Sequence, residues 1–316
     1  MLYSVIGLVC VTVVGLLASR LGICLVRSVK LALKGYPSLL VAILMSGLWA
    51  GAYSVLASYN DWSQPFPRFA LHFSFALGGF LFGVGASINQ ACSVSTLNQF
   101  ARGNVSMLFT MLGWFLGWCV WQLVSNTLSI TINYQRIPLL SEHLVYLMFS
   151  LSVLFTLIVI YFYPKERKLW LGVSAIGLLV AALFFIESMW APSRLIQDMG
   201  RTVVEGRTAP DLYRIYLAMM MLIGMRISVV VYKEQRFRWP TVYKFMRHTL
   251  GGLMMGVGGA IALGGNDAQI LMGMPALSFG AMTAIAFMLL GIASEQYLYS
   301  HYHSFKSRLF SKAPSA

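Results

Sequence analysis

The 316-residue sequence predicts an all-α polytopic membrane protein, with about nine transmembrane helices plus short re-entrant helices arranged as two inverted repeats. Three observations carry this fold class. Hydrophobic residues make up 58% of the chain and charged residues only 10%, where a soluble domain holds roughly 25% charged residues, and the mean hydropathy is +0.73. Apolar runs of about 18 or more residues, the length that crosses a bilayer, recur from one end to the other. A glycine-rich stretch, LGGFLFGVGASI from Leu77, returns as LGGLMMGVGGAI from Leu250, the mark of a membrane protein built from related halves.

Taken in order, the run 2–19 has no charged segment before it and no cleavage site, so it reads as a first span and not as a signal peptide. Segment 20–36 is too short to cross and carries Arg20, Arg27, Lys30 and Lys34. Runs 37–58, 71–90, 106–128, 143–163 and 169–190 follow, with the polar stretch 91–104 after the first glycine motif. Segment 191–210 mixes Arg194, Arg201 and Arg207 with Asp198 and Glu205, so it reads as a charge-balanced extracytoplasmic connection between the halves. Runs 211–231, 247–264 and 278–299 complete the set, and 265–277 after the second glycine motif is too short to span. The expected organisation is one integrated membrane domain: a first half over 1–190, the connection 191–210, a second half over 211–302 and a cytoplasmic tail over 303–316. The two glycine runs are five spans apart and so cross in opposite directions, which inverts the halves. Short polar breaks at such depth require a covered, polar cavity near the midplane.

The net charge of +13 belongs to the connections between spans. Arg20 to Lys34, Lys165 to Lys168, Lys233 to Arg247 and Lys306 to Lys312 fall on one side of an odd-span arrangement, which puts the N-terminus outside and the C-terminus in the cytoplasm. No soluble basic domain exists to bind nucleic acid. Trp62, Trp121, Trp170, Trp190 and Trp239 stand near the ends of apolar runs, as interfacial tryptophans do.

The candidate chemistry sits where each glycine motif ends. Gly79, Gly83 and Gly85, with Gly252, Gly256 and Gly258, have the small-residue spacing that brings helix backbones together. Beyond them come Asn89-Gln90-Ala91-Cys92-Ser93 and Gly264-Gly265-Asn266-Asp267. The expected substrate path is Cys24, Cys92, Asn89, Gly264, Gly265, Asn266 and Asp267. Asp267 in such a path repels an anion unless its carboxylate turns toward backbone N–H groups. Cys10 and Cys119 read as packing, and none of the four cysteines has metal-ligand or CxxC spacing. His72, His143 and His248 read as interfacial. No catalytic triad, HExxH or P-loop pattern occurs, so neither catalytic residue, metal nor cofactor is expected.

At these residues the chain resembles the YeeE/YedE family of bacterial inner-membrane sulfur transporters, whose characterised members take up thiosulfate. The likeness lies in Ser19-Arg20 to Cys24 with Trp49, in Gly83 through Cys92 to Arg102-Gly103-Asn104, and in Gly264 to Asp267 with Gly273-Met274-Pro275-Ala276-Leu277-Ser278. It implies that Cys24 and Cys92 pass thiosulfate along by S–H contacts to its soft sulfur. The family's Gly-Gly-Cys in the second half is here Gly264-Gly265-Asn266, so one thiol station is replaced. The reading is therefore uptake of a small sulfur oxyanion, most consistent with thiosulfate, by a non-enzymatic protein whose partners are that substrate and the lipid bilayer. A cytoplasmic sulfur-carrier protein is a candidate recipient. The alternatives are a membrane thiol or persulfide-exchange protein, for which Cys24 and Cys92 have to meet in space, and an accessory membrane subunit.

Overall fold

The computed structural model describes residues 2–60, 66–138, 141–239 and 241–310, with backbone alone at 300 and 302–310. Trp62, Lys312 and much of the tail 303–316 lie outside the residues so described. The helices in chain order are α1 (Leu2–Leu21), α2 (Leu25–Ala32), α3 (Ser38–Ala50), α4 (Ala52–Tyr59), α5 (Phe73–Asn89), α6 (Ser93–Ala101) and α7 (Met107–Thr127). After them come α8 (Glu142–Phe162), α9 (Arg167–Phe184), α10 (Pro192–Glu205), α11 (Leu212–Val231), α12 (Val242–Ile261), the short turn α13 (Asn266–Ala268) and α14 (Phe279–Phe310). A π-helical turn, Gln269–Gly273, extends α13.

Among the described residues, 8 helical segments are long and apolar enough to cross a membrane. The ninth expected span is α12, which has 20 residues but whose glycines, Lys244, Arg247 and His248 dilute its hydropathy. It is wedged between α5 and α7, so neighbouring helices and not lipid face much of its surface. At the other extreme α8 stands at the periphery, with Leu147, Leu151, Leu154, Leu157 and Ile158 exposed as a lipid-facing side.

The glycine motifs build the centre of the fold. Helices α5 and α12 run antiparallel, because Gly78 lies against Gly258 and Ala262 while Gly85 lies against Gly251 and Met255. Gly79 and Gly83 face the backbone of α14 at Ala284 and Met288, and their repeat partners Gly252 and Gly256 face α7 at Thr110 and Trp114. The outer pairs obey the same exchange, since α1 packs on α11 as α9 packs on α3. The inversion thus relates α1–α7 to α9–α14, and α8 has no counterpart. A Cβ on Gly85 would sit 2.7 Å from the Gly251 carbonyl oxygen and 2.8 Å from the Met255 nitrogen, both rigid backbone. Gly85→Val should therefore cost about 3 kcal/mol or more and abolish the monodisperse peak in size-exclusion chromatography; a wild-type melting temperature would refute this packing.

Two expectations change. Residues 191–210, read as a connection between the halves, hold a helix, α10, whose Pro192, Ser193, Leu195, Gln197 and Gly200 are buried against α7 and α13. Helix α10 occupies in the second half the position that α2 occupies in the first. Its polar composition hid it, because only one face of the helix is enclosed. Trp170 and Trp190 are buried at 3% and 5% exposure, their indole N–H groups donating to Glu166 and to the Arg214 carbonyl, whereas Trp239 is exposed.

Candidate functional site

Four helix breaks converge at the centre, and each has the same local form. Gly22, Gln90, Met189 and Leu263 adopt the left-handed conformation, with φ of 65°, 62°, 60° and 62°. Three of the four are not glycine, and such strain persists only where surrounding structure enforces it. Two residues after each comes an extended residue that begins a short helix. Cys24 (φ −154°, ψ 118°) matches Ala191 (φ −153°, ψ 151°), and Cys92 (φ −81°, ψ −174°) matches Gly265 (φ −78°, ψ −178°). The inverted repeat therefore holds at the level of single backbone dihedrals, and it sets Ser93 opposite Asn266, 173 residues on.

None of these four extended residues caps its own helix by a side chain. The caps come instead from neighbouring breaks. Leu25 N–H at the start of α2 donates to Cys92 Sγ at 3.4 Å. Ser93 N–H at the start of α6 donates to Asn266 Oδ1 at 3.3 Å, and Ser93 Oγ donates to the same oxygen at 2.7 Å. Ser193 N–H in the first turn of α10 donates to Asp267 Oδ2 at 2.9 Å, while Asp267 Oδ1 accepts from Ser93 Oγ at 3.0 Å. Helix starts that are otherwise unsatisfied inside a membrane protein are thus tied to one another, and the breaks form one interlocked unit.

The two cysteines are neighbours in this unit: both belong to one buried cluster, and the amide of Leu25, the residue after Cys24, donates to Cys92 Sγ. Both are buried and neither is in a disulfide. Ser95 Oγ also donates to Cys92 Sγ at 3.3 Å. Cys10 and Cys119 lie apart from this unit, as their reading as packing requires, with Cys119 buried beside Gly200.

Asn89 has a different task from a substrate contact. Its Nδ2 donates to the Ala91 carbonyl and to Thr96 Oγ1, and its Oδ1 accepts from Thr110 Oγ1 at 2.6 Å and faces His248 Nδ1 at 2.7 Å. That uses the full capacity of the amide, so Asn89 is the fastening that holds the α5 break to α7 and α12. His248 is accordingly buried at 6% exposure and not interfacial.

Three cavities touch the breaks. A wide vestibule of about 1180 Å³ is lined by Arg27, Lys30, Lys34, Gln90 and Arg247 on its basic side. A narrow central cavity of about 70 Å³ is lined by Ile23, Val94, Ala191, Asn266 and Asp267 among apolar side chains of α1, α3, α9 and α11. A smaller pocket of about 30 Å³ lies at Met189, Arg194, Leu263 and Gln269. Arg27 and Gln90 line the vestibule, Ile23 and Val94 line the central cavity, and Cys24 and Cys92 fall between them in sequence. The expected polar cavity at the midplane is largely apolar, because the polar groups of the breaks are consumed in capping helices.

Of the expected path residues, Asn266 and Asp267 line the central cavity, Cys24 and Cys92 are buried at the first-half breaks, and Gly264 and Gly265 set the second break, where Gly264 has φ 155°. Asp267 does turn its carboxylate toward a backbone N–H, that of Ser193. Sequence reading missed Ser193, and it saw Ser93 in the first polar break but not its partners Asn266 and Asp267. Continuing the repeat alignment beyond the glycines would have exposed Ser93 as the partner of Asn266, whereas the α2 and α10 repeat shares too few residues to be seen.

Among the described residues, no three His, Cys, Asp or Glu side chains gather as a metal site would require. No curated protein matches the chain. A family model described as sulphur transport matches residues 24–171 and again 164–294, so its two matches span both sets of breaks. With an all-helical membrane fold beneath that match, the chain belongs to the YeeE/YedE sulphur transport family.

Proposed function

We propose that the protein carries a small sulfur oxyanion, thiosulfate in the first place, across the membrane through the unit of four breaks, with the Cys24 and Cys92 thiols as its gate. The observation that carries this reading is the burial of two free thiols near one another at the breaks, where the amide next to Cys24 donates to Cys92 Sγ. A thiol is a weak donor and a polarizable partner, suited to the soft terminal sulfur and poorly hydrated charge of thiosulfate better than to sulfate. Asn266 uses Oδ1 to cap α6, which leaves its Nδ2 donors for the anion's oxygens. Weak contacts favour exit as well as entry. Exchange of thiols or persulfides is the second reading, supported by the same adjacency but disfavoured by the burial of both sulfurs.

The organisation proposed is an inverted pair of halves meeting at the breaks, with the basic vestibule facing the cytoplasm. Arg20 stacks on Tyr232, Arg102 pairs with Glu234 at 2.7 Å, and Ser38 bonds Glu166 at 2.7 Å, so three of the four basic clusters gather at one face, the cytoplasmic one by charge. An impermeant thiol reagent added to intact cells should label Thr202→Cys and spare Gln235→Cys; the reverse pattern would invert the orientation. The function itself is tested by growth of a thiosulfate-uptake-deficient bacterium carrying this gene on thiosulfate, sulfite or sulfate as sole sulfur source. Rescue on thiosulfate is expected, and rescue only on another anion, or none, would overturn the choice of substrate.

A further inference from the structure

We infer that the basic vestibule is a binding site for an anionic phospholipid, with the phosphate headgroup seated on Arg27, Lys30, Lys34 and Arg247 and an acyl chain running inward along α14. The vestibule holds about 1180 Å³, room for roughly 40 water molecules, so one small oxyanion would leave it almost empty. Its charge is one-sided. Arg27, Lys30 and Lys34 are exposed and stand three and four residues apart, which lines them up along the open side of α2 and the turn after it, while Leu25, Val26, Ser28 and Val29 are buried beneath. Arg247 of α12 lines the same space, held there by its Nε donating to the Ile88 carbonyl at 2.6 Å. Glu295 is the one carboxylate among the described residues of the lining, and its Oε2 accepts from Ser87 Oγ at 2.5 Å. None of the ion pairs among the described residues involves the four cations. Basic pockets of this kind between membrane helices attract anionic headgroups.

The depth of the vestibule favours a lipid over a free anion. Leu290 and Tyr299 of α14 both line it, and nine residues of helix separate them by about 14 Å along its axis. The stretch of α14 that is apolar enough to cross the membrane runs up to Tyr299, so Tyr299 stands at the interface and Leu290 near the middle of the bilayer. The cavity thus reaches from headgroup depth to acyl depth. Tyr243 in the first turn of α12, with Tyr297 and Tyr299, gives it the aromatic rim found among headgroups. Leu33 and Leu290, exposed at 63% and 54%, offer apolar surface that a hydrated oxyanion cannot use and an acyl chain covers. A phosphate shared by Arg247 and the α2 cations would brace the short helix that starts after Cys24 against α12 and α14, adding to the bond that Gln296 Nε2 donates to the Val26 carbonyl at 3.1 Å. The site is independent of which anion the protein carries.

The test is native mass spectrometry of the purified full-length protein, delipidated in mild detergent and titrated with dioleoyl phosphatidylglycerol or with dioleoyl phosphatidylcholine, which has the same chains and no net charge. Wild type should bind the first phosphatidylglycerol about tenfold or more tightly than phosphatidylcholine. Lys30→Gln combined with Lys34→Gln, both at exposed positions, should weaken phosphatidylglycerol binding roughly 25-fold, at about fivefold for each cation lost. Lys165→Gln combined with Lys168→Gln removes the same charge from another exposed basic cluster and should bind as wild type does. Glycerol 3-phosphate, which has the headgroup chemistry without the chains, should not displace the lipid when present in molar excess. Equal binding of the two lipids by wild type, unchanged phosphatidylglycerol binding in the Lys30 and Lys34 double variant, or an equal loss in the Lys165 and Lys168 double variant would overturn the inference. Displacement by glycerol 3-phosphate would overturn it in favour of a soluble anion.

Discussion

Cys92→Ala should reduce thiosulfate uptake by roughly 10- to 150-fold, the range that corresponds to losing one hydrogen bond to a charged group, about 1.5–3 kcal/mol. The protein should still fold. Alanine fits the buried position, and the structural losses are the acceptor for Leu25 N–H and Ser95 Oγ and a small volume in the core, together about 1–2 kcal/mol. Uptake per folded molecule, normalised to the monodisperse peak of detergent-extracted membranes, separates the two effects. Cys10→Ala and Cys119→Ala should leave uptake unchanged, because neither thiol reaches the breaks.

Asn266→Leu should block uptake to a similar or greater extent and also destabilise the protein. Two losses coincide at this residue: the Oδ1 acceptor that receives Ser93 N–H and Ser93 Oγ, and the amide donors that face the central cavity. Removal of this cap leaves the buried Ser93 N–H unpaired, at a cost of about 1–3 kcal/mol, while Ser93 Oγ keeps its bond to Asp267 Oδ1. A lower melting temperature is therefore expected alongside the transport defect. Asn266→Cys supplies a thiol in the second half and a weak acceptor for Ser93, so it should retain uptake. A folded Asn266→Leu protein with unchanged transport would remove Asn266 from the path.

Much of this architecture is legible in the sequence because the membrane imposes simple rules on it. Long apolar runs gave the spans, and a repeated glycine spacing gave both the close packing of α5 with α12 and the position of two of the four breaks. The other two were harder to see. Gly22-Ile23-Cys24 was recognisable through its cysteine and glycine, but Met189-Trp190-Ala191 has neither, and α10 carries enough charge on its open side to resemble a loop. The role of Asn89 was not legible for another reason. Its partners Thr110 and His248 come from α7 and α12, and only the folded bundle brings them to the end of α5. The same holds for Asp267, whose partner Ser193 lies 74 residues away. Residue type identified the polar breaks, while tertiary packing decided which polar groups cap helices and which remain for a ligand.

The gate formed by the two thiols is the central claim, and it is tested most directly by initial-rate uptake of radiolabelled thiosulfate into proteoliposomes containing purified protein, comparing wild type with the combined Cys24→Ala and Cys92→Ala variant. Wild type should take up thiosulfate at least tenfold faster than labelled sulfate, and the double variant should fall to the rate of protein-free vesicles while eluting as a folded species. Thiosulfate uptake at the wild-type rate by the double variant would contradict the account and leave a path that selects by charge and size alone.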